Sequence, residues 1–195
     1  MSAVETNSQT ALLVMDVQVG IVARYMQSDD FMERMKAAIT AAHNAQIPVI
    51  YVAVSFRPGF PEINPRNKIF SATRQQQSSL QAAATREIHP AIAPQAEDIV
   101  VTKRRVSAFT GSDLEVVLRS QGITHLVLSG IATSGVVLST LREAADRDYQ
   151  LTVLSDCCVD GDEEVHRVLL TKVFPRQADV VTAEEWSASL LAGER

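Results

Sequence analysis

The sequence lacks the features that mark secreted, membrane-spanning and disulfide-bonded proteins. Its 195 residues include only two cysteines, Cys157 and Cys158, which are adjacent and cannot form a disulfide framework. The polar start of the chain has no basic segment followed by an apolar one, as a secretory signal requires. No apolar run approaches the roughly 20 residues of a transmembrane helix. We therefore expect a cytoplasmic protein that has no membrane partner.

Basic charge and metal-ligand patterns are also scarce. The chain carries 18 basic and 23 acidic residues, and its formal net charge of -5 provides no attraction for nucleic acid. No His or Cys lies at a metal-binding spacing from the cysteine pair, so we interpret both thiols as core residues. We expect no metal, no cofactor and no nucleic-acid partner.

Short β-branched apolar runs alternate with helical patterns along the chain. The runs that predict strands are residues 11–15, 48–54, 98–102, 125–128, 151–154 and 179–182. Most of them are almost entirely apolar, as is typical of strands covered on both faces. The helical patterns between them cover residues 31–44, 114–121, 135–147, 163–173 and 183–191. This alternation predicts an α/β fold, a doubly wound three-layer α/β/α arrangement with a mostly parallel six-stranded sheet.

One long segment interrupts this alternation. Residues 56–94 hold five of the chain's seven prolines, and a structureless loop of that length is uncommon. We predict an excursion with one or two short helices that covers the sheet edge or a pocket. Because the chain has no repeats and no linker, we predict a single domain over residues 1–195, with residues 1–10 as a polar tail.

Ser112 and Glu115 have the spacing of a capping box, and Gly122 is expected to end the helix that follows.

Polar side chains follow several of the predicted strands. Asp16 comes directly after the first strand and Lys103 after the third. Ligands of open parallel sheets bind at the carboxyl ends of the strands, where burial shifts pKa values toward catalytic use. On the residues alone, Asp16 could equally cap a turn and Lys103 could extend into solvent.

The fourth predicted strand leads through a glycine-containing turn into a helix. Such a turn offers backbone amides and the positive end of a helix dipole to an anion. Thr133 and Ser134 are the expected N-caps. A nucleophilic Ser134 would need a G-x-S-x-G elbow, whereas residues 132–136 read ATSGV, and no histidine is evident as its base. This disfavours a serine hydrolase.

Taken together, these segments resemble the isochorismatase-like hydrolases. The resemblance rests on LLVMDVQ at 12–18, KRRVSAF at 103–109, GIATSGVVLST at 130–140 and DCCVDGDEEVH at 156–166, and it extends over residues 12–186. It implies a parallel sheet flanked by helices, a homo-oligomer (dimer or tetramer), and a site of Asp, Lys and, in most members, Cys. The family's Asp matches Asp16 and its Lys matches Lys103.

The family's cysteine position is Val136 in this chain. Valine cannot attack a carbonyl, so the covalent chemistry of the family's amidases is not expected here. The Asp/His metal-binding pattern that the family's nicotinamidases have after the second strand is also absent, since residues 55–59 read SFRPG. The family's isochorismatase branch needs no cysteine, because its Asp protonates the enol carbon of a vinyl ether and water attacks the resulting cation. An apolar Val136 would help to keep such an acid protonated.

We therefore expect a hydrolase that acts on a small anionic metabolite. Asp16 is the expected general acid, and Lys103 is expected to position the substrate. The candidate substrate-binding residues are Gln18, Arg57, Arg105, Phe109, Ile131, Ala132 and Gly135, the last three through their backbone amides. Two alternatives stay open: a ligand-binding protein that has lost catalysis, and an amidase with a displaced nucleophile.

Overall fold

Six parallel strands form one sheet in the computed structural model, which describes residues 9–25, 30–76 and 87–193. The strands are β1 (Gln9–Met15), β2 (Val49–Val54), β3 (Ile99–Lys103), β4 (Ile123–Ile131), β5 (Gln150–Val159) and β6 (Asp179–Val181). Their order is β3-β2-β1-β4-β5-β6, and every neighbouring pair is parallel. The predicted α/β fold with a parallel six-stranded sheet is confirmed.

Helices cover both faces of the sheet because alternate strand residues point to opposite sides. One apolar cluster joins Leu12 and Val14 of β1 to α1 (Val19–Tyr25), α2 (Asp30–Asn44) and α7 (Ala183–Gly193). The other cluster joins Leu13 and Met15 to α4 (Leu114–Ser120), α5 (Leu138–Ala145) and the π turn that follows α6 (Glu163–Val168). Strands covered in this way explain the almost wholly apolar runs of the sequence.

The bounds of β1, β4 and β5 differ from the predicted ones by two or more residues, and those of the other strands by one residue at one or both ends. Strand β1 begins at Gln9, so the end of the predicted polar tail belongs to the sheet, and residues 1–8 lie outside the described residues. Strand β4 is longer at both ends than the predicted run. Strand β5 separates from β4 after Val153 and pairs with it again at Cys158, opposite Gly130. This irregularity places both cysteines inside a strand that we predicted to end before them.

The excursion after β2 contains helices, as predicted. It includes α3 (Lys68–Gln76) and a short 3₁₀ turn (Pro90–Ile92), and Phe56, Ile63 and Phe70 form a separate apolar cluster in it. Residues 77–86 of this segment lie outside the described residues.

The predicted capping box before α4 is wrong in its second half. Ser112 Oγ accepts a hydrogen bond from the Leu114 amide at 3.3 Å, and the helix begins at Leu114. The Glu115 carboxylate, however, accepts a hydrogen bond from Arg119 Nε at 2.8 Å one turn later, where it forms an ion pair.

Within the described ranges, no helix of the protein is long and apolar enough to cross a membrane.

Candidate active site

The strand order reverses between β1 and β4, and the ends of these two strands meet there. Met15 lies opposite Gly130, whose φ of +137° belongs to the left-handed half of the Ramachandran map. A Cβ atom at Gly130 would lie 2.1 Å from the Met15 carbonyl oxygen, so only glycine permits this approach. The reversal therefore brings Asp16 and the segment beginning at Ile131 to one edge of the sheet.

Asp16 and Lys103 form a buried ion pair at this edge. Lys103 Nζ lies 2.8 Å from Asp16 Oδ2, although β2 separates their strands in the sheet. The exposed fractions are 6% for Asp16 and 2% for Lys103. Lys103 Nζ also donates to the carbonyl oxygens of Arg105 at 2.9 Å and Val106 at 3.0 Å. Three oxygen partners therefore fix the ammonium group in one position.

The second carboxylate oxygen of Asp16 is in a different environment. Oδ1 is buried and has no hydrogen-bond partner in the described part of the chain. Burial raises the pKa of Asp16 above its usual value, and Lys103, through its charge and its hydrogen bond, and the backbone of Val54 oppose this effect only in part. The site therefore favours the protonated acid more than water does, and Oδ1 is the oxygen that Lys103 leaves available to carry the proton.

Val136 is buried at the position where the resemblance expects cysteine. It lies in the π turn Thr133–Val137 that leads into α5, within the same apolar cluster as Phe109 and Cys158. Burial raises the pKa of the Cys158 thiol to about 12 and also raises that of Cys157. Both native thiols are therefore held in the neutral form, which is a poor nucleophile.

Gln18 lies at the same edge and contacts the end of β2. Its Nε2 donates to the Val54 carbonyl at 3.1 Å, and its Oε1 accepts from the Val54 amide at 2.9 Å. This two-point contact completes the backbone pairing of β2 where it passes Asp16. The geometry therefore gives Gln18 a part in positioning the strand end.

The backbone segment after β4 is shaped by its own hydrogen bonds. The Ile131–Ala132 peptide bond is cis. The Ala132 carbonyl accepts hydrogen bonds from the amides of Gly135 at 3.0 Å and Val137 at 3.3 Å. The Gly135 amide, predicted to bind substrate, is thus engaged within the turn.

The remaining predicted contacts separate into two places. Arg57 and Arg105 line one surface pocket beyond the ends of β2 and β3. Phe109 instead packs in the core, with its ring centroid 6.0 Å from that of Tyr149 and 4.9 Å from Arg147 Cζ. Tyr149 precedes β5 and so lies at the opposite edge of the sheet. Phe109 is thus a core residue, and its role as a substrate contact stays a prediction.

A hydroxyl–imidazole pair near this edge was not predicted. Thr133 Oγ1 lies 2.8 Å from His166 Nδ1, and the Ser134 amide donates to Asp160 Oδ2 at 2.7 Å. Neither Thr133 nor Ser134 caps the turn with its side chain, so the predicted N-caps are wrong. The sequence gives only a weak signal for this pair, since the two partners lie 33 residues apart.

The residues that the structure describes hold no group of three or more His, Cys, Asp or Glu arranged to bind a metal ion.

These features by themselves place the protein among the doubly wound α/β proteins. A doubly wound parallel sheet carries a buried acid–lysine pair at its point of reversal, which is where such folds build their active sites.

Comparisons with known proteins identify the family. The isochorismatase domain model matches residues 10–185. The chain is 34% identical over 178 residues to the uncharacterized isochorismatase family protein YwoC of Bacillus subtilis, covering 91% of this chain and 92% of that protein. It is 32% identical over 190 residues to the ureidoacrylate amidohydrolase RutB of Acinetobacter baylyi, covering 85% and 77%. A solved isochorismatase family protein from Burkholderia thailandensis superposes with a TM-score of 0.83 at 32% identity, covering 95% and 97%. The chain belongs to the isochorismatase family and is an isochorismatase-like hydrolase.

Proposed function

We propose that the chain hydrolyses a small anionic metabolite by general-acid catalysis from Asp16, without a covalent intermediate. The observation that carries the proposal is the asymmetry of the Asp16 carboxyl group, whose Oδ2 is held by Lys103 while the buried Oδ1 has no partner in the described ranges. A carboxylic acid with a raised pKa in a poorly solvated site is the type of group that donates protons near neutral pH.

An enol ether is the substrate class that this arrangement suits. Asp16 transfers the proton from Oδ1 to the terminal enol carbon, and the ether carbon becomes an oxocarbenium ion. Water adds to that carbon and returns one proton to Asp16. The hemiketal then breaks its bond to the leaving oxygen and yields a ketone and an alcohol, so that one water is consumed in total. Lys103, whose three donors face Asp16 Oδ2 and two backbone carbonyls, holds Asp16 in place and supplies a fixed positive charge near the anionic substrate.

The surroundings of Val136 favour this mechanism over thiolate chemistry. Val136 is apolar and buried at the position where the resemblance expects cysteine, and both native thiols are buried with raised pKa values. Acid catalysis needs no nucleophile from the protein.

Amide hydrolysis by a displaced hydroxyl is the second candidate. It is supported by the 2.8 Å contact between Thr133 Oγ1 and His166 Nδ1. Burial lowers the pKa of His166, although Asp160 opposes this, so the imidazole stays neutral and able to accept a hydroxyl proton. The name of the RutB relative, an amidohydrolase, makes this reaction class worth testing.

The experiment compares matched variants on two substrate classes. Purified wild type is assayed for pyruvate release from isochorismate and for ammonia release from a panel of small carboxylated amides. Asp16→Asn should reduce pyruvate release by about 100-fold or more, the usual contribution of a general acid. Asp146→Asn removes an exposed carboxylate and serves as the control that should retain full activity.

Two other outcomes of these assays would each indicate a different function. Ammonia release that is lost in Thr133→Val and His166→Gln, together with silence on isochorismate, would favour the displaced hydroxyl. Silence on both substrate classes, with ligand-induced thermal stabilisation that survives in Asp16→Asn, would overturn the catalytic proposal in favour of a binding protein.

A further inference from the structure

Three arginine side chains line one pocket at the edge of the sheet that holds Asp16 and Lys103. Arg104 and Arg105 directly follow Lys103 at the end of β3, and Arg57 follows β2. The pocket that they line has a volume of about 820 Å³. We call it the arginine pocket. It is large enough for a small metabolite.

Positive charge in the arginine pocket is not balanced. Glu62 is the one carboxylate among the described lining residues. Arg57 Nη1 lies 2.6 Å from its Oε1, and Arg104 Nε lies 3.5 Å from the same oxygen. Two guanidinium groups thus share a single carboxylate oxygen, and Arg105 has no carboxylate partner in the described ranges. Three cations against one anion leave two positive charges without a counterpart.

Two of the three guanidinium groups are held in place by backbone carbonyls. Arg104 Nη1 donates to the Ser55 carbonyl at 2.5 Å. Arg105 donates to the carbonyls of Arg104 at 2.6 Å and Glu62 at 2.9 Å. Positioning of this kind lowers the entropy lost when an anion binds. The Arg57 side chain, 67% exposed, stands at the open side of the pocket.

The arginine pocket and the Asp16 site share a stretch of backbone. Lys103 Nζ, which contacts Asp16, donates to the carbonyls of Arg105 and Val106. The loop that presents Arg105 to the pocket is therefore the same loop that fixes the Lys103 ammonium group.

We propose that the arginine pocket binds a small dianion, either a dicarboxylate or a phosphomonoester, and that the substrate of the Asp16 site carries this group. Guanidinium groups suit both chemistries, because their paired N–H donors match carboxylate and phosphate oxygens. The identity of the bound molecule as a substrate rests on the proposed function, whereas the binding itself does not.

Calorimetric titration with malonate, inorganic phosphate and acetate tests the proposal on the whole chain. Wild type should bind malonate or phosphate at least tenfold more tightly than acetate. If malonate binds more tightly, the pocket prefers a dicarboxylate, and if phosphate does, it prefers a phosphomonoester. Arg57→Gln should weaken that binding about tenfold, as expected for a hydrogen bond to a charged group, and its exposed position should leave folding intact. Arg167→Gln, which removes an exposed arginine of α6, should leave it unchanged.

Two results would overturn the proposal: no preference for dianions in wild type, or equal affinity in wild type and Arg57→Gln. Asp16→Asn separates this proposal from the preceding one. Dianion binding that persists in Asp16→Asn, beside a catalytically silent wild type, would refute the acid mechanism and leave the arginine pocket standing.

Discussion

Lys103 Nζ lies 2.8 Å from Oδ2 of the Asp16 carboxylate, whereas Oδ1 is buried and makes no hydrogen bond in the described part of the chain. An ion pair that served stability alone would be expected to satisfy both oxygens, since an unpaired buried polar atom carries a desolvation cost. The asymmetry instead resembles an acid prepared for a substrate.

The raised pKa of Asp16 predicts how stability depends on pH. The folded state binds the Asp16 proton more tightly than the unfolded state, so this contribution to stability is complete below pH of about 4 and is lost as pH rises through the folded pKa. The free energy of unfolding of wild type, relative to Asp16→Asn, should therefore fall between pH 4 and 8. Urea unfolding of both proteins across this range measures it. A difference that rises with pH would show that Lys103 dominates and that the Asp16 pKa is lowered.

Both native cysteines should be inert while the protein is folded. Cys157 and Cys158 are buried in β5, and burial raises the pKa of both thiols. Iodoacetamide at pH 8 should leave both unmodified in the native protein and label both after unfolding in urea, as read by intact mass. Rapid native labelling accompanied by loss of activity would restore a thiol mechanism.

The substitution Val136→Cys should introduce a third buried thiol, at the position where the resemblance expects the family's cysteine. The two side chains are similar in size, so the core cluster around Val136 should tolerate the change. Val136 is 2% exposed and lies in the same core cluster as Cys158, so burial should keep the new thiol neutral, as it does the native thiols. We expect iodoacetamide to label no thiol of native Val136→Cys and all three after unfolding in urea. Native labelling of one thiol would instead show that residue 136 is accessible and that its surroundings stabilise a thiolate.

Gly130 should be the least replaceable glycine in the fold. A Cβ atom at this position would collide with the Met15 carbonyl, whereas one at Gly59 meets no atom within 4 Å. Both residues have positive φ, so Gly59→Ala controls for backbone strain. Thermal unfolding should show a loss of several kcal/mol for Gly130→Ala and of about 1 kcal/mol for Gly59→Ala. Equal losses would mean that β1 and β4 separate easily.

Local pattern was sufficient to predict the sheet and the edge at which Asp16 and Lys103 lie, whereas their role as a pair was predicted from the family resemblance. The strands are continuous apolar runs, and Asp16 and Lys103 stand at the ends of two of them, so parallel pairing alone brings both residues to one edge. Strand β5 was predicted too short. It pairs irregularly with β4 between Val153 and Cys158, and the length of an apolar run in the sequence does not reveal such an interruption.

Tertiary packing decided the parts of the site that the sequence did not predict. The Thr133–His166 pair depends on how α6 packs beside the turn after β4, which no local spacing encodes. Phe109 follows the same strand end as Lys103, yet the chain turns there and buries its ring beside Tyr149. The predicted homo-oligomer stays a prediction.

The hydrogen isotope in the product of enol-ether hydrolysis tests the acid mechanism most directly. Wild type is incubated with isochorismate in D₂O, and the released pyruvate is analysed by mass spectrometry and ¹H NMR. Protonation of the enol carbon by Asp16, whose carboxyl proton exchanges with solvent, should place one deuterium in each pyruvate methyl group, and Asp16→Asn should form no such product above background. Pyruvate without deuterium, or deuterated pyruvate formed equally fast by Asp16→Asn, would contradict the assignment of Asp16 as the general acid.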